Sequence, residues 1–319
     1  METPKTLLQA ARYFADPDIC EQFMREMKWH ANDPVCPRCN SERIGEIKTR
    51  KLLRCKDCRK QFSSKVGTIF EDSPLGLDKW FVAVWAIANC KNGISSHELG
   101  RTIGVTQKTA WFMLHRIRVA MECASTNKFD GTTELDTTYV GGKAANMHAS
   151  RRAKQIKGRG AVGKTAVHGA LQRGVGDQAS QVNAVVLGDN GTQNAMTHIS
   201  QTVKRGSTVY TDEAKDYESL AKQYMHEAVN HSMEYVKGNV HTNGIENFWS
   251  LFKRSVKGTY VSVMPYHLFR YVSEQVYRFN YRKLTDANRF WLLMNKVVNK
   301  RLTYRLLAGI DDAGFMGKA

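Results

Sequence analysis

The chain contains no run approaching the ~20 consecutive apolar residues of a membrane-spanning helix, which excludes a helical integral membrane protein. Its opening stretch, METPKTLLQAARYF, lacks the layout of a secretory signal, so the expected compartment is the cytoplasm. Cysteine is too sparse and too unevenly placed for a disulfide scaffold. There are 7, an odd number, and four of them fall in two CxxC pairs. Acid is scarce as well: 30 Asp and Glu stand against 47 Lys and Arg, giving a net charge of +17. Between Asp136 and Asp177 there is no acid at all, while eight Lys or Arg occur. Such a balance points to a polyanionic partner, most simply nucleic acid.

The clustered cysteines carry the clearest metal signal. Cys36 and Cys39, then Cys55 and Cys58, form C-x2-C-x15-C-x2-C. Each pair offers two thiolates from one tight turn, so four soft ligands can close a tetrahedral structural Zn²⁺ site. The intervening ERIGEIKTRKLLRC alternates like two short strands, which makes this a zinc ribbon. Cys20, Cys90 and Cys123 read as small buried side chains.

An amphipathic helix is expected at 77–90, carrying Trp80, Phe81, Val84, Trp85 and Ala88. After it, Ser95 and Glu98 open a short helix, Gly104 supplies a turn, and Thr106 caps a second helix. Helix, Gly-containing turn and basic second helix form a helix-turn-helix candidate, with Thr106, Gln107, Lys108 and Thr109 at the end where base contacts are made. From Asn127 the pattern turns extended: GTTELDTTYVGG (131–142), TAVHGALQ (165–172) and QVNAVVLG (181–188) read as strands, a polar helix covers 191–204, and Ser207 to Thr211 leads to Asp212. Residues 143–160 form a basic loop in which Arg151, Arg152 and Lys154 suit a phosphate backbone. Within 158–165, GRGAVGKT matches the P-loop pattern letter for letter. It lacks a buried strand before it and a helix after it, so no ATP site is expected.

HTNGIENFWSLFKR (241–254) reads as a helix with two faces. Ile245, Phe248, Trp249, Phe252 and Val256 form a buried stripe; Glu246, Ser250, Lys253 and Lys257 follow on the other side. Asp136, Asp212 and Glu246 could therefore converge. Three carboxylates in a basic protein repel unless cations neutralise them, and hard oxygen ligands select Mg²⁺ or Mn²⁺. Two such ions would serve an in-line phosphoryl transfer, with Lys253 holding a phosphate. Glu134, on the same strand face as Asp136, is its rival; Glu134, Glu213 and Asp216 otherwise read as solvated acids.

ELDTTYVGGK, YTDEAKDY and HTNGIENFWSLFKR together resemble the DDE transposases of bacterial insertion sequences that carry an N-terminal zinc ribbon, the ISXO-like group related to Merlin transposons. CPRCN…CKDC, GTIFEDSPLGLDKWF, the helix-turn-helix and YRFNYRK extend the likeness over nearly the whole chain. The resemblance implies an RNase H-like catalytic domain with a mixed sheet, the acids at Asp136, Asp212 and Glu246, and Lys253 after them. Relatives can carry Asn at the third position, and Asn243 stands one turn before Glu246. The resemblance also implies binding to double-stranded DNA, at terminal inverted repeats and target. It implies metal-dependent cleavage and strand transfer without ATP, a homodimer or larger assembly on DNA, and a bacterial cytoplasm or nucleoid setting.

The expected fold class is multidomain α/β. N-terminal helices occupy 1–30, the zinc ribbon 31–64, a helical helix-turn-helix region 65–125, the RNase H-like domain 126–264 and C-terminal helices 265–319. Two alternatives stay open: a metal-dependent nuclease or resolvase with the same acids, and a zinc-ribbon DNA-binding regulator with an inactive domain.

Overall fold

In the computed structural model the described residues are 4–29, 33–122, 127–142, 148–150, 153, 163–188, 191–212, 220–229 and 240–310. The chain divides into two compact units, Met1–Glu122 with Leu284–Met316, and Cys123–Lys283 with Gly317–Ala319. None of the described helices is long and apolar enough to cross a membrane.

The first unit opens with α1 (Leu7–Tyr13) and α2 (Pro17–Trp29). A three-stranded antiparallel ribbon follows: β1 (Ile44–Ile47), β2 (Leu52–Cys55) and β3 (Gln61–Phe62). The central helix is α3 (Leu77–Asn89), whose apolar residues are too many for one stripe. Trp80, Phe81, Val84, Trp85 and Ile87 are all buried, as expected of a helix enclosed on several sides. Phe14 and Phe23 meet Phe81 edge to face at 4.8 and 5.1 Å.

Next come α4 (Ser96–Ile103) and α5 (Gln107–Met121). The Ser95 and Thr106 hydroxyls accept from the backbone N–H of Glu98 and Thr109, capping the two helices as their sequences require. Gly104 makes the turn between them at φ +65°.

The second unit is built on a five-stranded mixed sheet: β4 (Thr133–Val140), β5 (Thr165–Gln172), β6 (Gln181–Val186), β7 (Thr208–Asp212) and β8 (Met225–Val229), in the order β6-β5-β4-β7-β8. β4, β5 and β6 form an antiparallel meander, whereas β4, β7 and β8 run parallel. The order therefore reverses at β4, the kind of switch point beside which ligands bind in open α/β sheets. Thr165, the last letter of the P-loop-like string, begins a strand rather than a helix.

Helices cover both faces. α6 (Gly191–Thr202) lies on one, packing Ile199 against Leu135, Ala170 and Val209. α7 (Asn243–Arg254) and α8 (Leu268–Asn280) lie on the other, where Ile245, Phe248, Trp249 and Phe252 meet Val167, Leu171 and Val182. A π-helical turn (Ser255–Tyr260) extends α7. The C-terminal helices do not form one block: α8 packs on β6, whereas α9 (Asp286–Met294) and α10 (Tyr304–Leu307) belong to the first unit. Phe290 of α9 lies 5.1 Å from Trp85 of α3.

The ribbon brings the four expected thiols together. Cys36 Sγ lies 3.6 Å from Cys58 Sγ, and Cys39 Sγ 3.6 Å from Cys55 Sγ. All four lie within 4.8 Å of one another. Four sulfurs at ~2.3 Å from a central ion stand ~3.8 Å apart in a tetrahedron, so the set fits Zn²⁺. The Cys58 backbone N–H is the first cause that pulls the Cys55 thiol down to about 7, toward the thiolate a metal needs. Among the described residues, those packed beneath the thiols are Trp29, Leu53, Phe62 and a few partly buried neighbours, a small core to hold alone. Purified protein should carry one Zn²⁺ per chain by elemental analysis, and Cys55→Ser should release it and lower the melting temperature. A metal-free protein with an unchanged melting curve would contradict this assignment.

Candidate active site

The sheet sets two acids side by side. In the parallel pairing of β4 with β7, Thr133 faces Val209 and Glu134 faces Tyr210. Two residues further along each strand stand Asp136 and Asp212. The third acid arrives on α7, which crosses the sheet over β4 and β5. Its approach depends on Gly169, the register partner of Asp136 on β5. A Cβ at Gly169 would stand 2.6 Å from the Trp249 ring and 3.0 Å from Ile245. The absent side chain lets the helix lie this close, and Glu246 then faces the same cavity as Asp136.

The start of α7 is fixed from the sheet, not by its own sequence. Thr242 makes no capping bond to the backbone; its hydroxyl donates instead to Glu246 Oε1 at 2.9 Å. The Ile245 N–H is taken by Glu134, whose Oε2 accepts it at 2.9 Å. A carboxylate at a helix N-terminus is favoured by both the free N–H groups and the helix dipole. Gly244 makes room: a Cβ there would meet the Glu134 carboxylate at 2.8 Å. Arg173, just past β5, donates Nε to Glu134 Oε1 at 2.7 Å. The same guanidinium donates to His241 Nδ1 at 2.8 Å and to the His241 carbonyl at 2.7 Å. Because arginine cannot accept, His241 Nδ1 is the acceptor.

Glu134 is thus no solvated bystander. It is 1 % exposed, paired, and committed to the helix end. The alternation that puts it on Asp136's face is what brings it under α7.

Burial is the first cause that raises the Asp136 carboxyl to about 6. The negative charges of Asp212 and Glu246 push the same way, against the Thr137 amide, which donates to Oδ1 at 2.7 Å. Asp136 borders two hollows. One, of about 770 Å³, also holds Glu246, Trp249, Lys164, Lys253 and Lys257; the other, of about 240 Å³, holds Asp212. The acids do not close on one point. Among the described residues, the only set of three or more His, Cys, Asp or Glu donor atoms within 4.8 Å of one another is the cysteine cluster. Three hard, mutually repelling oxygen donors suit a divalent cation such as Mg²⁺ or Mn²⁺. Asn243 is exposed at the first position of α7 and does not line the cavity that holds Glu246.

Lys253 lines the same cavity, two turns along α7 from Glu246. Lys257, expected on the same face of the helix, joins it there, and so does Lys164, which the sequence had not singled out. Lys164 sits opposite the end of β4, because the β4–β5 ladder runs to Val140 and Thr165; the lysine of a rejected P-loop string is in fact at the site's rim. Arg151, Arg152, Lys154, Glu213 and Asp216 lie outside the described residues. On α5 and its cap, Thr106, Gln107 and Lys108 are exposed and Thr109 half-buried. Gln107 Nε2 donates to Ser96 Oγ at 2.9 Å, and Lys108 Nζ lies 5.4 Å from the Tyr304 ring.

Two outcomes follow. Asp136 folded binds its proton to about pH 6, above the ~3.9 of an unperturbed aspartate, so the folded state holds more protons than the unfolded state in that window. Stability without added divalent metal therefore falls as pH rises from 4 to 6. Asp136→Asn should raise the melting temperature at pH 7.5 and leave it nearly unchanged at pH 4; a variant less stable at pH 7.5 would contradict the repulsion. Arg173→Met should cost about 3–5 kcal/mol in urea denaturation, because it leaves Glu134 buried and uncompensated. A loss below ~1 kcal/mol, the size of an exposed pair, would mean that the clamp is not structural.

Residues 128–280 match the ISXO2-like transposase domain, and residues 16–61 match a transposase zinc-ribbon domain. The chain is 30 % identical over 245 residues to a protein in transposable element ISH50 of Halobacterium salinarum, an overlap that covers 73 % of this chain and 80 % of that one. The first match contains all three acids and Lys253, and the second all four paired cysteines. This chain belongs to the ISXO2-like transposases of insertion sequences that carry a zinc ribbon.

Proposed function

We propose that this protein cuts and joins DNA at the ends of its own mobile element. Asp136, Asp212 and Glu246 are the catalytic acids. The observation that carries this reading is that Asp136 and Asp212 stand on neighbouring parallel strands, Asp136 within β4 and Asp212 at the end of β7, with Glu246 brought beside Asp136 and lysines at the rim. The strand order, an antiparallel meander joined through β4 to two parallel strands, supports an RNase H-like assignment. The capped pair α4 and α5 supports a helix-turn-helix, with Thr106, Gln107 and Lys108 presented to a DNA groove.

The acids would hold Mg²⁺ or Mn²⁺, which when bound supplies activation of the attacking oxygen and charge stabilisation at the leaving oxygen. Lys253, with Lys164 and Lys257, holds the phosphates of the strand to be cut. Trp249 walls the cavity on the α7 side. Water attacks the phosphodiester at the element's end, the phosphorus–oxygen bond breaks, and a 3′-hydroxyl leaves. That hydroxyl then attacks a target phosphodiester in the same geometry, so no covalent enzyme intermediate and no ATP are needed. Two ends must be held at once, which calls for at least a dimer on DNA.

The test runs cleavage, joining and binding in parallel on a labelled inverted-repeat end with Mg²⁺. Asp136→Asn, Asp212→Asn and Glu246→Gln should each lower cleavage by several orders of magnitude and leave repeat binding intact. Lys253→Ala should slow the reaction more modestly. Lys108→Ala should weaken repeat binding and flatten its salt dependence by ~1 unit of slope. Acid variants that cleave like the parent would overturn the assignment. Cleavage without joining of pre-cut ends would reduce the protein to a nuclease.

A further inference from the structure

Beside the acids lies a second hollow of about 510 Å³, between the outer end of β4 and the π-helical turn after α7. Its volume falls within the ~300–1,000 Å³ of small-ligand pockets. Its walls are apolar: Tyr139, Val140, Val256, Val261 and Val263. Its rim is cationic: Lys164, Lys253 and Lys257. Tyr139 and these three lysines also line the hollow that holds Asp136 and Glu246, so the two cavities adjoin.

We infer that this pocket takes an unstacked nucleobase from a nucleotide flanking the bond to be cut. The inference rests on the DNA-cutting reading and adds a subsite to it. Phosphates alone would need only the lysines. Valine walls between cations suit the one part of DNA with an apolar face, flanked on both sides by charged backbone. Proteins that distort DNA place apolar side chains against base steps in this way, and an unstacked base offers its π-face to any such wall.

The backbone is built to hold the wall out. Val261 is 78 % exposed and sits at φ +62° and ψ −54°, a conformation that a β-branched residue disfavours. It is held there from below. The Tyr260 hydroxyl donates to buried Glu274, and the Tyr260 ring meets Tyr271 edge to face at 4.8 Å. An exposed apolar side chain kept in a strained position next to a candidate catalytic site reads as a contact awaiting its ligand.

The test is a cycle on a cleavable repeat end, once the cut has been mapped with the unaltered protein. Val261→Ala and the parent are compared on the intact end and on ends with an abasic residue at each nucleotide flanking the cut. Val261 is exposed, so the substitution leaves the core intact. On the intact end Val261→Ala should slow cleavage by about tenfold, the cost of roughly two methyl groups lost from a base contact. On the end lacking the right base, variant and parent should agree within about twofold.

An equal loss on every substrate would overturn the proposal, as expected if the pocket takes a protein segment or only backbone. No loss on any substrate would overturn it too. A parent that cuts no end would remove the underlying reading instead, a failure visible before any variant is compared.

Discussion

The site depends on one buried carboxylate. Glu134 reaches from the central strand to the backbone of Ile245 and so fixes where α7 begins. Everything α7 carries is placed from that point: Trp249 over Gly169, Glu246 beside Asp136, and Lys253 two turns on. Arg173 neutralises Glu134 and takes hold of His241 on the approach to the helix. A buried ion pair is weak evidence for stability, since its desolvation offsets most of its attraction. Its value here is positional: it ties the start of the helix that bears Glu246 to the strand that bears Asp136.

That tie works against strong repulsion. Asp136 is raised because its burial and its two acidic neighbours both disfavour its charge. The acids stand apart around Asp136 rather than closing on one point. A cation would relieve this opposition, and on the proposed reading the lysines that line the cavity would meet substrate phosphate. The net charge of +17 suits a polyanionic partner such as DNA, and on the proposed reading the three acids, ringed by cations, mark where the reaction is confined.

Much of this was legible in the sequence where a local rule governs it. The two-residue spacing of the cysteine pairs, the Ser95 and Thr106 caps, and the stripe of Ile245, Phe248, Trp249 and Phe252 are all short-range patterns, and the elements formed where they pointed. Glu134 was misread because sequence cannot tell a carboxylate facing water from one facing the end of a distant helix. Local propensity was no guide either, since the clamp replaces a capping box that HTNGIEN lacks. Lys164 was hidden inside a string that resembles a phosphate loop; only the β4–β5 register puts it beside Lys253. β8 was missed because MHEAV is short and half polar. The split of the C-terminal helices between units is likewise a matter of which core Phe290 joins, and composition does not carry that.

The central claim is that Asp136, Asp212 and Glu246 form one metal centre. Anomalous diffraction from crystals grown with Mn²⁺ tests it most directly. The account predicts manganese bound by carboxylate oxygens of all three residues, at about 2.0–2.6 Å, with Glu134 still on the Ile245 amide. Manganese bound elsewhere, or held by Glu134 or Asn243 in place of Glu246, would contradict it.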